Sequence, residues 1–294
     1  MQFERLLERQ DQVLFDGALA TELERKGADL TGGLWSARVI RDAPHLIISV
    51  HEDAIAAGAD VISTASYQVS REGFVKAGLR AESADEALIK SVNLAREASK
   101  QTPTLIAASL GPYGAMLADG SEYTGHYTLT GRELADFHRP RVKALLEAKP
   151  DLILFETLPS LAEAEAVAQL AAEHSDVAFM ASFSRVDAFR QALPRLESVA
   201  NLVAVGLNCM APEEIEPALK SVRAKRVALS ASPNSGETWD AKGRRWQGVA
   251  GSETLASWAQ KYRAAGARIF GGCCRTKPED IAEVKKVLKL KGSG

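Results

Sequence analysis

Cysteine is scarce in this sequence: three residues in 294, Cys209, Cys273 and Cys274. So sparse and odd a set excludes a disulfide framework, leaving scattered buried thiols or three residues with one task. Long apolar runs are missing too. No window approaches the ~20 residues of a membrane-spanning helix. The opening Met1-Gln-Phe-Glu-Arg-Leu-Leu-Glu-Arg-Gln10 lacks the apolar centre of a secretion signal, so a cytoplasmic location is expected. Nor does one sign of charge dominate. With 36 Lys and Arg against 38 Asp and Glu the formal net charge is −2, which gives no field to draw nucleic acid or an anionic membrane. Small molecules are the expected partners. Low-complexity tracts and domain-sized repeats are also lacking, and the closing Lys291-Gly-Ser-Gly294 carries no functional weight.

What is present is an alternation of short apolar runs with helical patterns. Strands are expected at Val13–Asp16, Asp60–Ser66, Thr104–Leu110, Asp151–Glu156, Val177–Phe183, Leu202–Asn208, Arg226–Ala231 and Ala267–Gly271. These runs are continuous rather than alternating, the pattern of parallel strands buried on both faces. Ser83–Glu86, Thr130–Glu133, Ser160–Glu163 and Thr276–Glu279 have the spacing of capping boxes. Pro44 and Gly58 bracket another helix. Pro140 and Pro217 fall inside predicted helices and are expected to kink or break them. Eight β-then-α units without a break in composition point to a single (β/α)8 TIM barrel over residues 1–294, with an open doubly wound sheet as the alternative. Two connections, 111–130 and 232–251, are long and rich in Gly and polar residues, the mark of functional covers or disorder.

In such a barrel, function gathers where strands end. Cys209 follows the sixth run in Val205-Gly-Leu-Asn-Cys209, and Cys273 and Cys274 follow the eighth in Phe270-Gly-Gly-Cys-Cys-Arg275. Three thiolates suit Zn²⁺ and leave a fourth position open, as in catalytic zinc sites. Gly271 and Gly272 would supply the backbone freedom for neighbouring cysteines to bind together. The plainer reading is three cysteines buried as small hydrophobes. A vicinal pair is harder to explain by packing, and a disulfide between neighbours would be strained.

An open position on such a site favours a thiol acceptor, because a bound cation stabilises the thiolate, which is the nucleophile. Asp16, before Gly17, and Glu156, before Thr157, end strands one and four. They are placed to clamp an ammonium group, while backbone N–H groups near Gly17 take a carboxylate. The plainer reading of either acid is a helix cap or a loop hydrogen-bond acceptor. Thr64, Ser66 and Gln68 offer short polar groups to the same mouth, and Trp35 and Tyr67 an aromatic wall for a cationic donor. His45, His51, His138 and His174 fall on predicted helices; His126, in the third-strand loop, is the histidine to follow.

These motifs resemble those of the homocysteine S-methyltransferase family, from Phe15-Asp-Gly-Ala-Leu-Ala-Thr21 through Gly-Leu-Asn-Cys209 to Gly271-Gly-Cys-Cys-Arg-Thr276. The resemblance implies a zinc-binding barrel with Cys209, Cys273 and Cys274 as ligands and the homocysteine sulfur as the fourth. It also implies that Asp16 and Glu156 contact the amino group. Leu110-Gly-Pro-Tyr-Gly-Ala115, Leu117-Ala-Asp-Gly-Ser-Glu-Tyr123 and Ser232-Pro-Asn-Ser-Gly-Glu237 look like the branch that uses S-methylmethionine and also accepts S-adenosylmethionine. Methyl transfer to homocysteine, giving methionine, is the activity so implied. Selenocysteine methyltransferases look very similar, so another thiol or selenol acceptor stays open. From other classes stand a non-catalytic zinc-thiolate redox switch and a barrel whose strand-eight glycines grip a phosphate.

Overall fold

In the computed structural model, which describes residues 1–30, 34, 36–240, 245–247 and 251–288, each expected apolar run overlaps a parallel strand, the fourth and seventh strands running two and one residues further. These are β1 (Val13–Leu14), β2 (Val61–Ser63), β3 (Leu105–Leu110), β4 (Leu152–Leu158), β5 (Ala178–Phe183), β6 (Leu202–Asn208) and β7 (Ala228–Ser232). A hairpin of β8 (Thr238–Asp240) and β9 (Arg245–Gln247) then precedes β10 (Ala267–Phe270), the eighth strand of the main sheet. Neighbours run in the order β1-β10-β7-β6-β5-β4-β3-β2. The remaining seam, β1 against β2, is closed by a parallel bridge between Phe15 and Val61. Across it the Asp60 N–H donates to the Leu14 carbonyl at 2.7 Å and the Asp16 N–H to that of Val61 at 3.1 Å. Closure makes the sheet a (β/α)8 barrel and rules out the open doubly wound alternative.

The strands are largely apolar because each meets two cores. Leu152 and Leu154 of β4 face a small cluster inside the barrel with Val13, Ala107, Met180 and Ile269. Ile153 and Phe155, one residue out of step, pack outward under the helices. The interior needs a floor, and the first helix, Gln2–Arg9, provides it. Its Phe3, Leu6 and Leu7 join the inner cluster, with the Phe3 ring edge-on to Phe15 at 6.0 Å. The Arg268 guanidinium fixes the helix by donating to the Leu7 carbonyl at 2.6 Å.

Three of the four expected capping boxes differ. Thr130 does cap its helix, with Glu133 bonding back to the Thr130 N–H at 2.8 Å. Ser160 caps Leu161–Glu173, but its Glu163 side chain bonds elsewhere. The helix around Ser83 starts earlier, at Glu82, and the last helix starts at Pro278 with Lys277 and Asp280 in the box positions. Thr276 instead turns its hydroxyl to the Cys273 carbonyl at 2.7 Å. Helices Gly131–Glu147 and Pro212–Lys220 run unbroken through Pro140 and Pro217. The carbonyls these prolines leave without an N–H donor belong to exposed Asp136 and Glu213, where water takes over. Helix Pro44–Ala57 has the expected first-turn proline and ends on a left-handed Gly58. Of the long connections, 111–130 folds into the short helices Tyr113–Leu117 and Ser121–Thr124, and the described part of 232–251 into the β8–β9 hairpin. No described helix is long and apolar enough to cross a membrane.

Candidate active site

The C-terminal ends of the barrel strands open on one pocket whose wall includes Asp16, Gly17, Thr64, Glu156 and all three cysteines. The sulfurs of Cys209, Cys273 and Cys274 lie within 4.8 Å of one another, although 64 positions separate the first two. Cys209 Sγ is 3.6 Å from Cys274 Sγ. Two thiolates on a tetrahedral zinc ion, each ~2.3 Å from it, stand about 3.8 Å apart. The donor set and its spacing therefore fit a zinc ion with one open face. Hydrogen bonds from Cys273 and Cys274 hold the Cys209 thiol well below its usual range, and the same sharing pushes those two well above theirs. The Tyr123 hydroxyl lies 3.5 Å from Cys209 Sγ, giving the cluster a fourth neighbour.

Gly271 and Gly272 do not act as the hinges expected of them. The left-handed residues here are Cys209 at φ 55° and Arg275 at φ 69°. Gly272 is needed for space: a Cβ on it would fall 2.2 Å from the Thr276 hydroxyl. What aligns the cysteines is the start of the seventh-strand loop. The Ser232 carbonyl takes the Cys209 N–H at 3.1 Å and the Pro233 carbonyl the Cys273 N–H at 2.7 Å. The Ser235 N–H in turn donates to the Cys274 carbonyl at 3.1 Å. One segment thus splints two cysteine-bearing loops from strands that are not neighbours. Sequence reading picked this segment out as a motif without finding its role, because carbonyl contacts leave no side-chain signature.

Asp16 and Glu156 line the same pocket. Asp16 is buried and accepts the backbone N–H of Ser63 at 2.8 Å and its hydroxyl at 3.0 Å. Glu156 is mostly buried and takes the Ser109 hydroxyl. Burial pushes both carboxyls up to about 7; the bonds from Ser63 and Ser109 oppose this, and the charge of Glu156 adds to it at Asp16. Ser63, Ser109 and Asn208 went unnoticed in the sequence. Their signal was a polar residue at the end of an otherwise apolar strand. Asn208 holds Thr157, a β-branched residue at φ 63°, by accepting its N–H at 2.8 Å and donating to its hydroxyl at 2.9 Å. It thereby fixes the backbone next to Glu156.

The structure does not bring every expected residue to the pocket. Ser66 is fully buried behind the wall, 2.6 Å from the Thr64 hydroxyl and donating to the Ser109 carbonyl at 2.7 Å. It shapes the wall by holding Thr64. Tyr67 and Gln68 line the pocket, joined by Glu122 and Tyr123 from the third-strand loop, which sequence reading did not name as site residues. Trp35 lies outside the described residues. His126 is exposed and away from the wall, whereas His138 and His51 are fully buried. Among the described wall residues no Lys, Arg or His occurs, against the four carboxylates of Asp16, Glu24, Glu122 and Glu156.

Comparison with known proteins places the chain in one family. The family model for homocysteine S-methyltransferase matches residues 13–288. The chain belongs to the homocysteine S-methyltransferase family. Within that family it is 44% identical over 299 residues to the homocysteine S-methyltransferase of Escherichia coli, covering 95% of this chain and 96% of the relative. It is 40% identical to a selenocysteine Se-methyltransferase of Brassica oleracea, covering 97% and 91%. The solved metallated form of the Escherichia coli homocysteine methyltransferase MmuM superposes with a TM-score of 0.86 at 39% identity, covering 97% of this chain and 99% of that one. Family membership makes the chain an enzyme of the methyltransferase class and dismisses the redox-switch reading as its main function.

Proposed function

We propose that this barrel, acting as one domain, transfers a methyl group from a cationic sulfonium donor to the sulfur of homocysteine, giving methionine. S-methylmethionine or S-adenosylmethionine would be the donor, and zinc the ion held by Cys209, Cys273 and Cys274. The observation that carries this reading is three converging sulfurs facing two buried carboxylates across one pocket. When bound, zinc would supply a cation that favours the ionised form of a thiol at its open position.

The remaining roles belong to the chain. Asp16 and Glu156 take the ammonium group of the amino acid, and the N–H groups near Gly17 its carboxylate. Thr64 offers a short polar edge held in place by Ser66. The amino acid is thereby oriented with its sulfur toward the cysteines. The wall carries acids and no basic side chain among its described residues, which suits a donor with a positive sulfonium and opposes a phosphate or a folate. In the transfer a donor S–CH3 bond breaks as an S–CH3 bond forms on homocysteine. The thiol proton goes to solvent, and the donor leaves as a neutral thioether, so the leaving group needs no general acid. Alignment of the two sulfurs is where the protein contributes most, since proximity alone is worth ~7–11 kcal/mol.

The 40% identity to a selenocysteine Se-methyltransferase makes a selenol the second acceptor to examine. The test is a methyl-transfer assay with each donor against homocysteine and selenocysteine, before and after chelation, with metal analysis and a Cys273→Ala variant alongside. One zinc per chain, loss of transfer on chelation and near-complete loss in Cys273→Ala are expected. Transfer that survives chelation, or near-normal activity of C273A, would defeat the zinc reading. No transfer from either sulfonium would defeat the donor assignment.

A further inference from the structure

The pocket wall has two kinds of parts. The cysteines, Asp16 and Glu156 sit at or just past strand ends, held by the barrel and the start of the β7 loop, whereas Tyr67, Glu122 and Tyr123 ride on the loops after β2 and β3. Something must fix those loops, and beneath them lies a buried row of three ionisable side chains that the reaction does not touch. Arg141 and His138 stand one turn apart on helix Gly131–Glu147, and Glu163 opens helix Leu161–Glu173; all three are buried.

The bonds of this row all end on the two loops or on each other. Arg141 donates to the carbonyls of Val69 at 2.8 Å, Gly111 at 2.9 Å and Tyr67 at 2.7 Å. It also stands 2.9 Å from His138 Nδ1. A guanidinium only donates, so Nδ1 accepts and the imidazole proton sits on Nε2. From there it is directed to Glu163 Oε2 at 3.0 Å. The other oxygen, Oε1, takes the Tyr113 N–H at 2.8 Å and the Tyr127 hydroxyl at 2.6 Å. One carboxylate oxygen therefore pins both ends of the segment whose middle carries Glu122 and Tyr123. Burial alone would raise Glu163, but the donors around it outweigh that and hold it below the usual carboxylate range. Burial lowers His138 and keeps it neutral, and lowers Arg141 to about 10, still charged at neutral pH. The row is thus an ion pair relayed through a neutral imidazole and packed between the rings of Phe137 and Phe155.

We propose that Glu163, His138 and Arg141 are positioning residues that set the loop-borne half of the pocket and through it the affinity for the methyl donor, leaving the strand-borne acceptor and metal half unaffected. The inference rests on the reading above that a sulfonium donor enters over the amino-acid acceptor. Loss of one pin should loosen the loop without moving the strand ends.

The test uses Tyr127→Phe, which removes a single hydroxyl, and Glu163→Gln, which keeps shape but cannot accept three donors. Should Glu163→Gln fail to fold, Tyr127→Phe carries the test. Amide hydrogen exchange is read first, because it needs no substrate: exchange over 111–127 should rise while that over 202–209 and 267–274 holds. In the zinc-loaded enzyme the KM for the sulfonium donor should rise about tenfold, the worth of one hydrogen bond to a charged group. The KM for homocysteine and the zinc content per chain should stay at wild-type values. The proposal is overturned if exchange over 111–127 is unchanged, or if donor and acceptor KM rise together, or if zinc is lost. Absence of methyl transfer in the wild type would instead sink the functional reading, with the exchange result still judging the clamp.

Discussion

Asp16 and Glu156 carry the most informative chemistry at the scale of single residues. Both are raised to about 7, chiefly by burial. Between the ordinary carboxylate range, near 4, and pH 7 the native protein therefore holds protons that the unfolded chain has released. Their contribution to stability is full below about pH 4 and is lost as pH rises through 7. Ligand binding has the opposite sign, since an ammonium group needs the ionised carboxylates. Methionine, which has the amino-acid end of homocysteine but no thiol to titrate, isolates this effect. Its inhibition of the enzyme should tighten about tenfold from pH 6 to pH 8, as the carboxylates ionise. Glu156→Gln should flatten the profile, and inhibition independent of pH in the wild type would refute the assignment. These two acids were legible in the sequence because each ends an apolar strand just before a loop. Ser63, Ser109 and Asn208, which hold them or their neighbours, were not, because a lone Ser or Asn at a strand end has many uses.

At the scale of elements, the segment after β3 is the instructive one. Its two short helices cross so closely that a Cβ on Gly114 would lie 2.4 Å from the backbone nitrogen of Glu122. Backbone cannot yield as a flexible side chain can, so Gly114→Ala should displace Glu122 and Tyr123 at a cost of about 1–3 kcal/mol. Turnover is expected to fall at least about tenfold on that displacement, with the zinc content unchanged by metal analysis. Wild-type turnover in Gly114→Ala would show that this segment does not shape the pocket. Glycine counts do not reveal such a crossing in advance. Strands were easier to read: β6 and β3 lie where continuous apolar runs put them, because a parallel strand buried on both faces permits little else. The β8–β9 hairpin escaped notice because its strands are three residues each. Thr276 looked like a helix cap by spacing, but its hydroxyl had a nearer partner in the Cys273 carbonyl.

For the molecule as a whole, the cysteines tie together loops after β6 and β10, with the start of the β7 loop as splint. An ion held there binds only the folded barrel and so stabilises it by mass action. At a free metal concentration ~100 times Kd this amounts to about 2.7 kcal/mol, or roughly 4 °C in Tm for a chain of this size. Calorimetry with and without a chelator should show that drop, restored by added zinc. An unchanged Tm in a protein shown to lose its metal would mean that the three sulfurs do not share an ion. The N-terminal helix makes a related point. The sequence reading gave it no structural role, yet Phe3, Leu6 and Leu7 close the bottom of the barrel, a role visible only once there is a barrel to close.

By itself the sequence determined the eight strands of the barrel, the (β/α) alternation and the placement of the three cysteines and two acids at or near strand ends, because periodicity and residue type are local properties of the chain. Closure of β1 on β2, the meeting of sulfurs from β6 and β10, and the clamping of the third-strand loop by Glu163 were decided only by the tertiary structure. Each of these depends on backbone atoms far apart in the chain, and a carbonyl or N–H carries no mark in the sequence of which partner it will find.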